Sequence, residues 1–169
     1  MPINPEALAY RDRILSYVGE QDPLTVFASS PQRLRNLVDG RAAAELARNP
    51  EAGRWSVVQI LAHLADAEVV GAWRFRSVLG QDGIPLQPFD QNIWADAFRY
   101  ANADPFESLD IFEVNRRGTV SLLRRVDSSL RKNYGMHGER GEESVEHLIR
   151  LYAGHDLNHI SQVERLLAR

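Results

Sequence analysis

Long stretches of this chain place apolar residues at helical spacing, and none alternates apolar and polar residues with the period of two that marks a half-buried strand. From Trp55 to Leu79 the apolar positions include Val57, Ile60, Leu61, Leu64 and Val78, with Ser56 as a cap and Gly80 as the stop. From Phe106 to about Asn133 the same spacing runs through Leu109, Phe112, Val120, Leu123, Val126 and Leu130, and a further helix is predicted from Ser144 to Leu167. At the start, Asn4 before Pro5 reads as a cap with proline at the first helical position, and Leu8, Ile14, Leu15 and Val18 carry a helix over about 5 to 20. After Asp22-Pro23 an irregular segment is expected until Ser30-Pro31 opens a shorter helical stretch through Leu34, Leu37 and Val38. That stretch should break near Gly40 or Asn49-Pro50. The predicted fold is all-α.

The connections constrain how these helices are arranged. Gly80 to Pro105 is about 25 residues with Pro85, Pro88 and a possible short helix Asn92 to Tyr100, which at ~3.3 Å per residue can travel the length of a bundle. The helices it joins are therefore expected to run parallel. The last connection, Tyr134 to Glu143, holds three glycines and reads as a tighter loop. No repeat or low-complexity tract interrupts the 169 residues, so one domain over 1–169 is expected.

Composition removes several classes of function. Twenty Lys and Arg against 23 Asp and Glu give a formal net charge of -3, and no basic face is concentrated enough to make nucleic acid a partner. Pairs such as Arg116-Arg117 and Arg124-Arg125 read as solvated helix faces. Cysteine is absent, so a metal must be held by nitrogen or oxygen ligands. The N-terminus lacks the pattern of a signal peptide, and no segment has the ~18 uninterrupted apolar residues of a membrane span. A cytoplasmic location without membrane attachment is the expectation. There is no G-x-S-x-G elbow and no phosphate-binding G-x-x-x-x-G-K-[ST] loop.

The chemistry concentrates in histidine. His155 and His159 are four apart on a predicted helix, so both imidazoles share one face with about 6 Å of rise between them. Leu148, Tyr152 and Leu166 mark that face as inward. A third ligand has several sources. His147 is two turns before His155, about 12 Å along the axis, and cannot share its ion. His137 lies in the glycine-rich loop and could move. His63 sits mid-helix, one turn after Ile60, and should face the interior; a lone histidine there is more often a hydrogen-bonded core residue. Three neutral imidazoles on one divalent ion would leave a fourth position for water or substrate, the open arrangement of a catalytic zinc site. Asp66, Glu68 and Asp156 could orient ligands or act as bases. His155-Asp-Leu-Asn-His159 departs from the zinc-protease pattern H-E-x-x-H, since Asp156 stands where that pattern needs Glu.

Trp55-Ser-Val through His63-Leu-Ala-Asp-Ala-Glu68, Phe89-Asp-Gln-Asn-Ile-Trp94, and His155-Asp-Leu-Asn-His159-Ile-Ser-Gln162 together resemble the DinB/YfiT-like superfamily. The resemblance runs over nearly the whole chain. It implies a four-helix bundle of up-down-down-up course, with metal ligands from the second and fourth helices that fall on His63, His155 and His159. Gly138 follows His137 where the family often has proline. Characterised relatives include thiol-dependent transferases and isomerases. On that basis a metal-dependent thiol S-transferase acting on a small electrophile is expected, with Zn2+ or Ni2+ as the ion and a low-molecular-weight thiol as cosubstrate. Metal-assisted hydrolysis is the alternative, and a non-catalytic metal-binding protein of stress responses is a third reading. The resemblance also implies a homodimer. The length of the crossover Gly80 to Pro105 leaves two expectations for it: a lid over a metal-side pocket walled by Trp94 or Tyr152, or an inert strap whose Phe89, Trp94 and Phe98 fill the core.

Overall fold

The computed structural model describes residues 3–51 and 53–168. Helix α1 spans Pro5–Ser16, and the Asn4 side chain accepts from the backbone N–H of Glu6 at 3.0 Å. It ends before the expected residue 20, because the chain winds into turns over Tyr17 to Gln21 and Gly19 takes a left-handed φ of 56°. Helix α2 spans Pro23–Val38 and is capped by Asp22, which accepts from the Thr25 backbone N–H at 2.8 Å. This corrects the expected start at Ser30-Pro31. Ser30 is buried and donates its hydroxyl back to the Val26 carbonyl at 2.8 Å, and Pro31 lies inside the helix.

A short turn of helix, α3, covers Ala43–Leu46 before α4, Val57–Gly80, which opens with a reciprocal pair of hydrogen bonds between Ser56 and Gln59. Strand β1, Ile84–Leu86, and helix α5, Gln91–Ala97, follow. Helix α5 stops short of Tyr100 because Arg99 takes a left-handed φ of 55°, after which Tyr100–Asn102 form a 3₁₀ turn. Helix α6 runs Pro105–Arg125. Its expected extension to Asn133 is corrected as well: Val126 is extended, and Asp127 caps a separate 3₁₀ turn over Ser128–Lys132. Helix α7 spans Val145–Leu167.

Two apolar clusters show how the long helices run. One gathers Leu34 and Val38 of α2, Val57 to Leu64 of α4, Leu109 and Phe112 of α6, and Ile160 and Val163 of α7. The other gathers Val26 and Phe27 of α2, Phe75 and Val78 of α4, Val120 and Leu123 of α6, and Leu148 and Tyr152 of α7. Helices α4 and α6 thus enter the bundle at one end and leave at the other side by side, while α2 and α7 run against them. Between the clusters lies a polar layer: Glu68 on α4, Arg116 on α6 and Asp156 on α7, each 1% exposed.

A small three-stranded sheet joins the bundle where loops are expected from the sequence. Strands β2, Tyr134–His137, and β3, Gly141–Ser144, form an antiparallel hairpin, and β1 pairs parallel to β2 with Ile84 opposite Gly135. Strands of three or four residues are too short to display alternation. Gly135 allows the close pairing, since a Cβ there would meet the Leu86 side chain at 2.6 Å and Val78 at 3.0 Å. No helix of the described residues is long and apolar enough to cross a membrane.

Candidate metal centre

Helix α4 delivers His63 and helix α7 delivers His155 and His159 to one point beside the polar layer. The Nε2 atoms of His63 and His155 are 3.1 Å apart, those of His159 and His155 are 3.2 Å apart, and the ligating atoms of all three lie within 4.8 Å of one another. Two nitrogens bound at about 2.0–2.1 Å to one tetrahedral ion would be about 3.3 Å apart, so the spacing fits a shared divalent ion. Among the described residues no further histidine or carboxylate joins this group. His63 and His159 are buried, and His155 is partly so.

The surroundings favour the neutral, ligating form of each ring. Burial, followed by the neighbouring His159, pushes His63 down to about 3. Burial also pushes His159 down to about 4, against the hydrogen bond to Gln162. His155 is lowered by burial and by both neighbouring imidazoles. Gln162 Oε1 lies 2.9 Å from His159 Nδ1, so it can accept that proton and leave Nε2 free for an ion. His63 Nδ1 is buried without a partner, and its ring packs against Trp55 at 5.1 Å between centroids.

The other titratable candidates are engaged elsewhere. Glu68 and Asp156 accept from Arg116 at 2.7 and 2.5 Å, forming a buried ion-pair triad. Burial raises both carboxyls, against the opposing Arg116 charge. Asp66 accepts from the Tyr100 hydroxyl at 2.5 Å and so ties the 3₁₀ turn to α4. His137, in β2, accepts through Nδ1 from the Glu139 backbone N–H at 3.2 Å and lies outside the cluster. His147, in the first turn of α7, is likewise outside it.

Arg116, expected on a solvated helix face, is instead fully interior. The signal was present: Leu109, Phe112, Arg116, Val120 and Leu123 recur at three- and four-residue steps along one stripe.

A cavity of about 260 Å³ opens against His63 and His155, with Ile14, Phe89, Leu151 and Tyr152 among its walls. Trp94 does not line it. Instead the Trp94 ring backs Phe89, with centroids 4.5 Å apart. The crossover does contribute a wall through Phe89 and Gln91, but α1 supplies another, and Gly154 is what lets it approach. A Cβ on Gly154 would run into the Ile14 carbonyl. Gln162 and His159 face a second, wider depression bordered by Trp55.

A model of the DinB superfamily matches residues 27–163, which include all of α4, α5 and α6 and every residue of the histidine cluster. The chain belongs to the DinB superfamily. Similar DinB relatives include the Oceanobacillus iheyensis protein named "Putative metal-dependent hydrolase OB0782", 27% identical over 82% of this chain and 80% of its own. Another, from Bacillus subtilis, is named "Putative metal-dependent hydrolase YfiT" and is 25% identical over 86% of this chain and 83% of its own. The solved structure of that YfiT, described as having an unusual four-helix bundle topology, superposes with a TM-score of 0.79 at 25% identity. The match covers 85% of this chain and 83% of YfiT. The shared DinB bundle is thus seen in both sequence and structure.

Proposed function

We propose that this chain is a metal-dependent hydrolase of small molecules, with His63, His155 and His159 holding one divalent ion. The observation that carries the reading is the convergence of three imidazoles, two of which, His63 and His155, line a cavity, with no fourth protein ligand among the described residues. The hydrolase names of the similar proteins support it. Zinc and nickel both suit an all-imidazole donor set. Such an ion supplies Lewis-acid polarisation of a carbonyl and lowers the pKa of a water or thiol it holds. The chain's own residues do the rest: Gln162 fixes the ring of His159, Trp55 packs against His63, and Phe89, Leu151 and Tyr152 give the cavity apolar and aromatic walls.

Transfer of a low-molecular-weight thiol to an electrophile is a second reading. What favours it is the apolar wall of Ile14, Phe89 and Leu151, which suits a reaction between two organic groups in a water-poor space. The homodimer implied by the family resemblance is also part of this proposal. Light scattering at high micromolar concentration should give twice the chain mass of 19.1 kDa, and a monomer there rejects it.

The deciding experiment is elemental analysis of untagged protein. Near-stoichiometric metal is expected in the unmodified chain and in His147→Ala, and none in His63→Ala, His155→Ala or His159→Ala. Equal behaviour of all four variants would reject the ligand assignment. In cobalt-substituted protein, a visible spectrum perturbed by added thiol favours transfer, and an unperturbed one favours hydrolysis.

A further inference from the structure

We infer that the cavity selects organic acids, and that Arg74 is the residue that receives their carboxylate. This inference rests on the metal-dependent reading for its reaction but not for its binding. The lining of the cavity contains two arginines, Arg74 and Arg140, and no Asp or Glu. The two differ in what they already hold. Arg140 grips Glu143 with two hydrogen bonds, Nε at 2.6 Å and Nη2 at 3.1 Å. Arg74 is 5% exposed, yet it takes part in none of the ion pairs among the described residues. Its Nη2 donates to the Gln87 carbonyl at 2.6 Å, and its guanidinium lies 6.0 Å from the Phe89 ring centre and beside the Tyr152 hydroxyl.

The Glu143 carboxylate acts on Arg74 only through space and is itself held by Arg140, so the hydrogen bonds of this buried guanidinium go to neutral groups alone. Such a charge is costly to keep, and an arginine has five N–H donors in a fork that matches a carboxylate. The fork opens on a cavity whose remaining walls are largely apolar, with Tyr10, Phe89 and Tyr152 as aromatic surfaces. An acid with an aliphatic or aromatic body fits that combination: the body meets the apolar walls and the carboxylate meets Arg74. His63 and His155 line the same cavity as Arg74, so an acid anchored there shares its space with the histidine cluster. A neutral isostere would leave the guanidinium unpaired and should be rejected.

The competing role for Arg74 is structural, as a clamp on the crossover through Gln87. Benzoate and its neutral counterpart benzamide separate the two roles. Both are titrated calorimetrically into the full-length protein as purified and after chelator treatment, where no ion is present to bind the carboxylate. Benzoate should bind the chelated protein at least tenfold tighter than benzamide, Arg74→Gln should abolish that preference, and Arg74→Lys should retain part of it. Metal content of Arg74→Gln should equal that of the unmodified chain. Equal binding of the two probes by the unmodified protein, or a preference that survives in Arg74→Gln, overturns the assignment. Because the comparison is made without metal, loss of the three-histidine reading would leave this result standing, and the converse holds too.

Discussion

Arg116 donates through Nη1 to the carbonyl oxygen of Phe27 at 2.5 Å, the acceptor that Pro31 leaves without a helical partner in α2. Proline has no N–H to give to the residue four before it, so an uncompensated Pro31 would bury an orphan carbonyl. The same guanidinium pairs with Glu68 of α4 and Asp156 of α7 and stacks on Phe27, 3.7 Å from its ring centre. One side chain of α6 thereby joins all four long helices at the level of the histidine cluster.

Removing it should be expensive. Arg116→Met leaves two buried carboxyls and one carbonyl without their donor, and a loss of about 3–5 kcal/mol in unfolding free energy is expected by urea denaturation. A loss under about 1 kcal/mol would show that the triad is not what holds the layer together. Pro31→Ala restores an N–H that competes with Arg116 for the Phe27 carbonyl, and its effect should be far smaller.

Gln162 tests how the cluster is oriented. Gln162→Leu removes the acceptor at His159 Nδ1 while leaving the three rings in place, so metal affinity should fall about 10–100-fold with no change in stoichiometry. Competition with a chromogenic chelator measures this. An unchanged affinity would mean that packing alone holds His159.

The pH dependence has a definite sign. His63 and His159 are held at about 3 and about 4 in the folded chain, against about 6.5 when unfolded. Below 6.5 the unfolded chain therefore binds more protons, and stability falls as pH drops from 6.5 towards 4, while above 6.5 these groups add no slope. Between pH 6.5 and 5 each should cost on the order of 2 kcal/mol in metal-free protein. Denaturant titrations at pH 7.5, 6.5 and 5 check this, and the slope should shrink in His63→Leu. A flat profile would mean that the rings are solvated.

Gly154 tests the wall formed by α1. Gly154→Ala places a methyl against the Ile14 backbone, which cannot yield as a side-chain tip could. A destabilisation of about 1–3 kcal/mol is expected. Hydrogen exchange should accelerate over residues 5–16 and stay unchanged in α4 and α6. Uniform acceleration would place the damage in the bundle core instead.

The periodicity of the long helices and the spacing of residues along them were decided by the sequence alone. Helical spacing located both ends of α4 and α7 and the start of α6 closely, because a 3.6-residue period is written into consecutive positions, but it carried α6 past its end at Arg125. The i, i+4 relation of His155 and His159 is equally local, and the helix makes it a shared face wherever the helix lies.

What the sequence could not determine were relations that depend on where separate elements come to rest. Asp22-Pro23 and Ser30-Pro31 both carry the cap-and-proline signal, and only the burial of Ser30 and the donor from Arg116 decide that the first begins α2 and the second lies inside it. A loop rich in glycine became a hairpin because β1, roughly 50 residues earlier, lies alongside it and leaves no room for a side chain at Gly135. The charge of Arg116 pointed to solvent, and three other helices drew it inside. The placing of His63 within 3.1 Å of His155 required α4 to pass α7 at one particular height, and that height is set by the apolar clusters above and below the polar layer.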